Sequence, residues 1–107
     1  MTAATIRIKS ETDSDDVYAY RSADGFLEDL DKVIKLIAER INAEHRKHNR
    51  TCDVERATAL MIHTLIGHEE PDNPWMIYGG FETGMTGDLN VCIDIATGTI
   101  TLNNLIS

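Results

Sequence analysis

The chain has 107 residues, with 10 Lys plus Arg against 18 Asp plus Glu, a formal net charge of −8. Phosphate contacts need a basic face, so this balance excludes direct nucleic-acid binding. No apolar run approaches the roughly 20 residues that span a bilayer, and Met1 to Lys9 lacks a signal peptide's apolar stretch. The expectation is a single domain over residues 1–107, off the membrane and in the cytoplasm. Two unpaired cysteines, Cys52 and Cys92, agree with a reducing compartment.

Thr5-Ile6-Arg7-Ile8-Lys9 alternates apolar and polar residues, the period of a half-buried strand. Ser10 to Asp16 is polar and acidic and reads as a turn. Val17 to Arg21 forms the second strand of a hairpin with the first. A helix then starts near Ser22 or Asp24, either of which suits a cap. Its apolar stripe is Leu27, Leu30, Ile34, Ile37 and Ile41, widened by Phe26 and Val33. The stripe predicts about six turns, ended by Asn49 and Arg50.

A second helix is predicted over Val54 to Ile66, capped by Thr51 or Asp53 and closed by Gly67 in the left-handed conformation. Its stripe of Val54, Ala57, Leu60, Met61 and Leu65 faces the first helix across a short connector. His68 to Pro74, with two prolines, is a loop. Trp75 to Tyr78 begins a strand that Gly79-Gly80 bends. Gly84 to Asp88 reads as a flexible hairpin tip. Leu89, Val91, Ile93 and Ile95 then alternate with Asn90, Cys92, Asp94 and Ala96, and Thr97-Gly98 turns into Thr99 to Leu102.

The order is ββααβββ. It predicts an α+β fold in which one antiparallel sheet, an N-terminal hairpin plus a C-terminal three-stranded meander, packs against an antiparallel helical hairpin. The sheet's other face is expected to carry Asn90, Asp94, Thr99 and Thr101, polar and without cations.

Charge is unevenly placed along this order. Every Lys and Arg lies between Arg7 and Arg56, and the 51 residues that follow hold six carboxylates and no permanent cation. Glu11 to Asp31 is a second acidic stretch, with eight carboxylates against Arg21 alone. Between them Arg40, Arg46, Lys47, Arg50 and Arg56 outnumber Glu44, Asp53 and Glu55. Such a field selects partners by sign.

Chemical motifs are sparse. His45, His48 and Cys52 share an i, i+3, i+7 spacing, but no Cys-x-x-Cys or His-Glu-x-x-His occurs, and a zinc site needs three or four converging ligands. They are read as the end of the first helix's apolar stripe, leaving no metal, cofactor or catalytic group expected. The alternative is a small metal-binding or enzymatic protein built on His45, His48 and Cys52, or an acidic adaptor subunit. Gly79-Gly80 and Gly84 to Gly87 lack the Lys of a phosphate loop.

The leading expectation is a protein-binding inhibitor, monomer or homodimer, of a basic partner such as a nucleic-acid-binding protein or nuclease. Glu11, Asp13, Asp15, Asp16, Glu69, Glu70, Asp72, Glu82 and Asp88 would meet its Lys and Arg around Trp75 or Tyr78, since Trp and Tyr are enriched in interface cores. In size and charge the chain resembles small acidic proteins of phage and mobile elements, including anti-CRISPR, anti-restriction and nuclease-immunity proteins. That resemblance is compositional and implies phosphate mimicry or charge-complementary docking.

Overall fold

The structure, a computed structural model, describes residues 2–9, 16–22, 26–49, 53–67, 73–79, 87–95 and 99–104. Its elements are β1 (Ala4–Lys9), β2 (Val17–Arg21), α1 (Leu27–His48), α2 (Val54–Ile66), β3 (Met76–Gly79), β4 (Leu89–Asp94) and β5 (Thr99–Asn104). The fold is α+β with the expected element order. The sheet is mixed, however, not antiparallel throughout.

Its strand order is β3-β2-β1-β4-β5. β1 pairs antiparallel with β2 and parallel with β4, in the register Ile6↔Ala19 and Ile6↔Val91. β3 pairs with β2, and β4 with β5, both antiparallel. The expected C-terminal meander is therefore corrected: of its three strands β4 and β5 pair with each other, and β3 joins the far side of the sheet. The reason is burial. β1 and β4 are the strands whose helix-facing residues are entirely apolar, Ala4, Ile6, Ile8 and Leu89, Val91, Ile93, all at most 2% exposed. Placing them side by side at the centre removes the most apolar surface from water. The short β3, with Met76 and Ile77 still exposed, is left for the edge.

The helices close the core. Leu30, Val33, Ile34, Ile37 and Ile41 of α1 and Ala57, Met61 and Leu65 of α2 pack with the sheet residues into one buried cluster. Arg40 Nη1 donates to Thr64 Oγ1 at 2.7 Å, and Thr64 in turn donates to Leu60 O at 2.7 Å, tying the helices together. The N-cap position of α1 is Phe26, extended, without a side-chain cap hydrogen bond and 40% exposed, so Ser22 does not occupy that position and Phe26 lies outside the stripe; Asp24 lies outside the described residues. Asn49 ends it at φ 51°, ψ 42°, a left-handed conformation that Asn tolerates. Asp53 caps α2, accepting from Arg56 N at 2.9 Å. Gly67 is right-handed at φ −67°, which corrects the left-handed closure expected of it.

His45 and His48 are exposed and do not continue the apolar stripe. The buried stripe ends at Ile41, and the last turn of α1 is exposed. There His48 Nε2 lies 3.2 Å from Glu44, which also meets Arg56 Nη2 at 3.4 Å. The Arg56 hydrogen bond holds the Glu44 carboxyl below its usual range.

Candidate functional site

The helices cover one face of the sheet. By strand alternation the other face carries Thr5, Arg7 and Lys9 from β1, Tyr18 and Tyr20 from β2, Met76 and Tyr78 from β3, and Asn90, Cys92 and Asp94 from β4. The expectation of a face without cations is thus overturned: Arg7 and Lys9 stand at its centre. Parallel pairing of β1 with β4 sets Lys9 beside Asp94 and Arg7 beside Cys92. Part of the acidic tail is in this way brought against N-terminal cations that the linear charge pattern keeps far away.

Arg7 organises this face. Its guanidinium forms an ion pair with Asp16, Nε donating to Oδ2 at 2.6 Å, and its Cζ lies 5.6 Å from the centre of the Tyr18 ring. Asp16 has no exposed surface, while Arg7 keeps a quarter of its side chain in contact with solvent. Burial works against the Arg7 charge, but the Asp16 hydrogen bond and charge outweigh it and raise the pKa above the ordinary arginine value. Next to Arg7, burial pushes the Cys92 thiol up, with Arg7 and Lys9 pulling the other way. A thiol held protonated in this manner is a poor nucleophile.

On the β2–β3 side the face is aromatic. Tyr18 is paired with Tyr78 and Tyr20 with Met76, and the Tyr78 hydroxyl donates to Met76 Sδ at 3.7 Å. The three tyrosines are half-buried and Met76 is 37% exposed.

At the start of β4 a side-chain network fixes the chain. Asn90 Oδ1 accepts from Thr5 Oγ1 at 2.7 Å and Gly87 N at 3.0 Å, and Asn90 Nδ2 donates to Gly87 O at 2.7 Å. Asp88 Oδ2 accepts from Ala3 N at 2.9 Å, while Asp88 N donates to Ala3 O at 2.8 Å. A Cβ added to Gly87 would meet the Ala3 carbonyl carbon at 2.7 Å. Residues 87 and 88 are therefore a close-packed anchor, not the flexible tip expected of them. The rest of that segment lies outside the described residues.

Of the residues expected to meet a partner, four are described. Asp16 is engaged by Arg7 inside the chain, Asp88 is half-buried on the Ala3 backbone, and Trp75 is 9% exposed with Arg21 Cζ 5.7 Å from its ring centre. Tyr78 alone lies on the open face. Glu11, Asp13, Asp15, Glu69, Glu70, Asp72 and Glu82 lie outside the described residues, as does Cys52. The strand ends nonetheless show which connections share an end of the sheet. Lys9, Val17, Gly79 and Asp94 are level with one another, and Ala4, Arg21 and Leu89 mark the opposite end. β1 and β3 finish and β2 begins at the first end, whereas β3 and β4 begin at the second.

Arg7 and Lys9 escaped the reading of the sequence as site residues, whereas Tyr78 of the β2–β3 row was expected. A signal was present: Arg7 and Lys9 alternate with Ile6 and Ile8, which assigns them to one face. Only the strand order shows what they meet there.

Among the described residues no group of three or more His, Cys, Asp and Glu is placed to hold a metal ion. No helix among them is long and apolar enough to cross a membrane. No family model, no curated protein and no solved structure matches this chain.

Proposed function

We propose that this chain is a small acidic binding protein that docks on a basic, nucleic-acid-handling protein and occupies the surface which that partner offers to phosphates. The observation that carries the reading is the helix-free sheet face, whose β2–β3 side presents Tyr18, Tyr20, Met76 and Tyr78 in a chain of net charge −8. Half-exposed tyrosines and methionine give a rigid, amphipathic contact surface of the kind interface cores favour. Tyr78 is the anchor, and Glu11, Asp13, Asp15, Glu69, Glu70, Asp72 and Glu82 supply the steering charge. Asp16, Trp75 and Asp88 serve the fold instead. Inhibition of a nuclease or a CRISPR or restriction component is the form that this docking takes.

Capture of a basic partner at low ionic strength, followed by a salt titration and competition with duplex DNA, tests the reading. Affinity should fall at least about tenfold between roughly 50 and 500 mM salt, because surface charges are screened over a few ångströms at the upper end. DNA should displace the chain from its partner. Tyr78→Ala should weaken binding by about tenfold or more while leaving the unfolding midpoint near that of the parent chain. Salt-insensitive affinity, or simultaneous binding of partner to DNA and to this chain, would refute the proposal.

A further inference from the structure

β3 forms one side edge of the sheet, and an edge strand presents backbone N–H and C=O groups to which another strand can pair. Natural edges are blunted with Lys, Pro or inward-pointing charge. Met76–Gly79 has none of these. Ile77 is the partner of Ala19 and so belongs to the helix-covered face, yet it is 42% exposed. The helices stop short of this edge.

Where they stop there is a shallow groove lined by Val17 of β2 and Val54, Glu55 and Thr58 of α2. In the sheet Val17 has fully buried Ile8 on one side and Gly79 on the other. A glycine at that register leaves the groove open toward the edge of β3. Two apolar walls with a carboxylate suit a Lys or Arg side chain, whose alkyl stem packs on apolar surface while its head stays at the charge. Among the described lining residues Glu55 is the one that ionises.

We propose that the outer edge of β3 accepts an extended segment of a basic protein as an added strand. A Lys or Arg of that segment reaches across Gly79 onto Val17 and Val54, with its cationic head at Glu55. Backbone pairing supplies affinity in this mode, and pockets for alternate side chains supply specificity. The occupant is basic because the groove's charge and the chain's net charge are both negative. A second copy would bring another −8 to the same place. The inference rests on the reading of the chain as a binder of basic proteins and specifies how the partner is held.

The probes are capped peptides of alternating Lys and Val, the Glu and Val counterparts, and the Lys peptides N-methylated at alternate amides, each titrated into the isotopically labelled full chain. The Lys peptides should bind and shift the amide resonances of Met76 to Gly79. N-methylation should weaken them at least about tenfold by removing strand donors. Glu55→Lys should weaken the Lys peptides by about tenfold and bring in the Glu peptides, with Glu55→Gln as the milder variant if the reversal unfolds α2. Binding that leaves the β3 amides unmoved, equal binding after N-methylation, or no binding by any peptide overturns the edge mode. Concentration-dependent shifts of the same amides without peptide would show a second copy on the edge and overturn it as well. Salt-sensitive capture of a basic partner would survive each of these outcomes, so the parent reading fails only on its own test.

Discussion

Asp16 ends a run of acidic residues in the sequence, and nothing in that run distinguishes it from Glu11, Asp13 or Asp15. The hairpin register makes the difference by setting Tyr18 opposite Arg7, which brings the guanidinium within reach of the carboxylate at the mouth of β2. Removing one member of a buried pair strands the other charge, whereas replacing both with apolar residues is often nearly neutral. Because the Arg7 left behind keeps a quarter of its side chain in solvent, Asp16→Ala should cost about 1–3 kcal/mol in denaturant unfolding. Arg7→Leu combined with Asp16→Leu should cost much less than the two single changes together. A single-variant cost within about 0.5 kcal/mol, typical of surface substitutions, would show that the pair is not buried in solution. Cys92 gives the pH counterpart. Its folded pKa is raised, so its contribution to stability is present below the ordinary thiol value and is lost as pH rises through the folded value. Alkylation of Cys92 should be slower in the native than in the urea-unfolded chain near pH 8.5, the ordinary thiol value, and a native rate equal to the unfolded one would contradict the raised pKa.

At the level of elements, local rules account for most of what forms. The apolar stripe of α1, its end at Asn49, the Asp53 cap and the alternation in β4 each depend on residues within a few positions of one another, so they were legible before folding. Strand partners were not, because pairing is decided by distant residues competing for the centre of the sheet. Gly87 belongs to that second class. A Gly-rich stretch before a strand looks like a hairpin tip until β4 is placed parallel to β1, whereupon Gly87 must pack on the Ala3 and Ala4 backbone. Gly87→Ala forces that contact apart and should destabilise by about 1–3 kcal/mol in thermal or denaturant unfolding. A neutral Gly87→Ala would mean that β4 starts elsewhere. The aromatic row was half legible: Tyr18 and Tyr20 share a side of β2, but its neighbours Met76 and Tyr78 join only through the β2–β3 pairing.

Across the whole molecule, a net charge of −8 sets a self-repulsion that salt relieves. Stability should rise by a few tenths to about 1 kcal/mol from low to moderate ionic strength. A fall over that range would show that attractive pairs such as Arg7 with Asp16 dominate the electrostatics. Sign of charge, helix positions, strand periodicity and the α+β class all followed from contiguous residues, since periodicity and capping act over a turn or two. Tertiary structure alone decided the mixed sheet, the central β1–β4 pair and the two cations on a face that looked acidic. It also removed Asp16, Trp75 and Asp88 from the outward surface. Those outcomes depend on which strands lie side by side, and burying the most apolar pair at the centre settles that choice only once the whole chain is assembled.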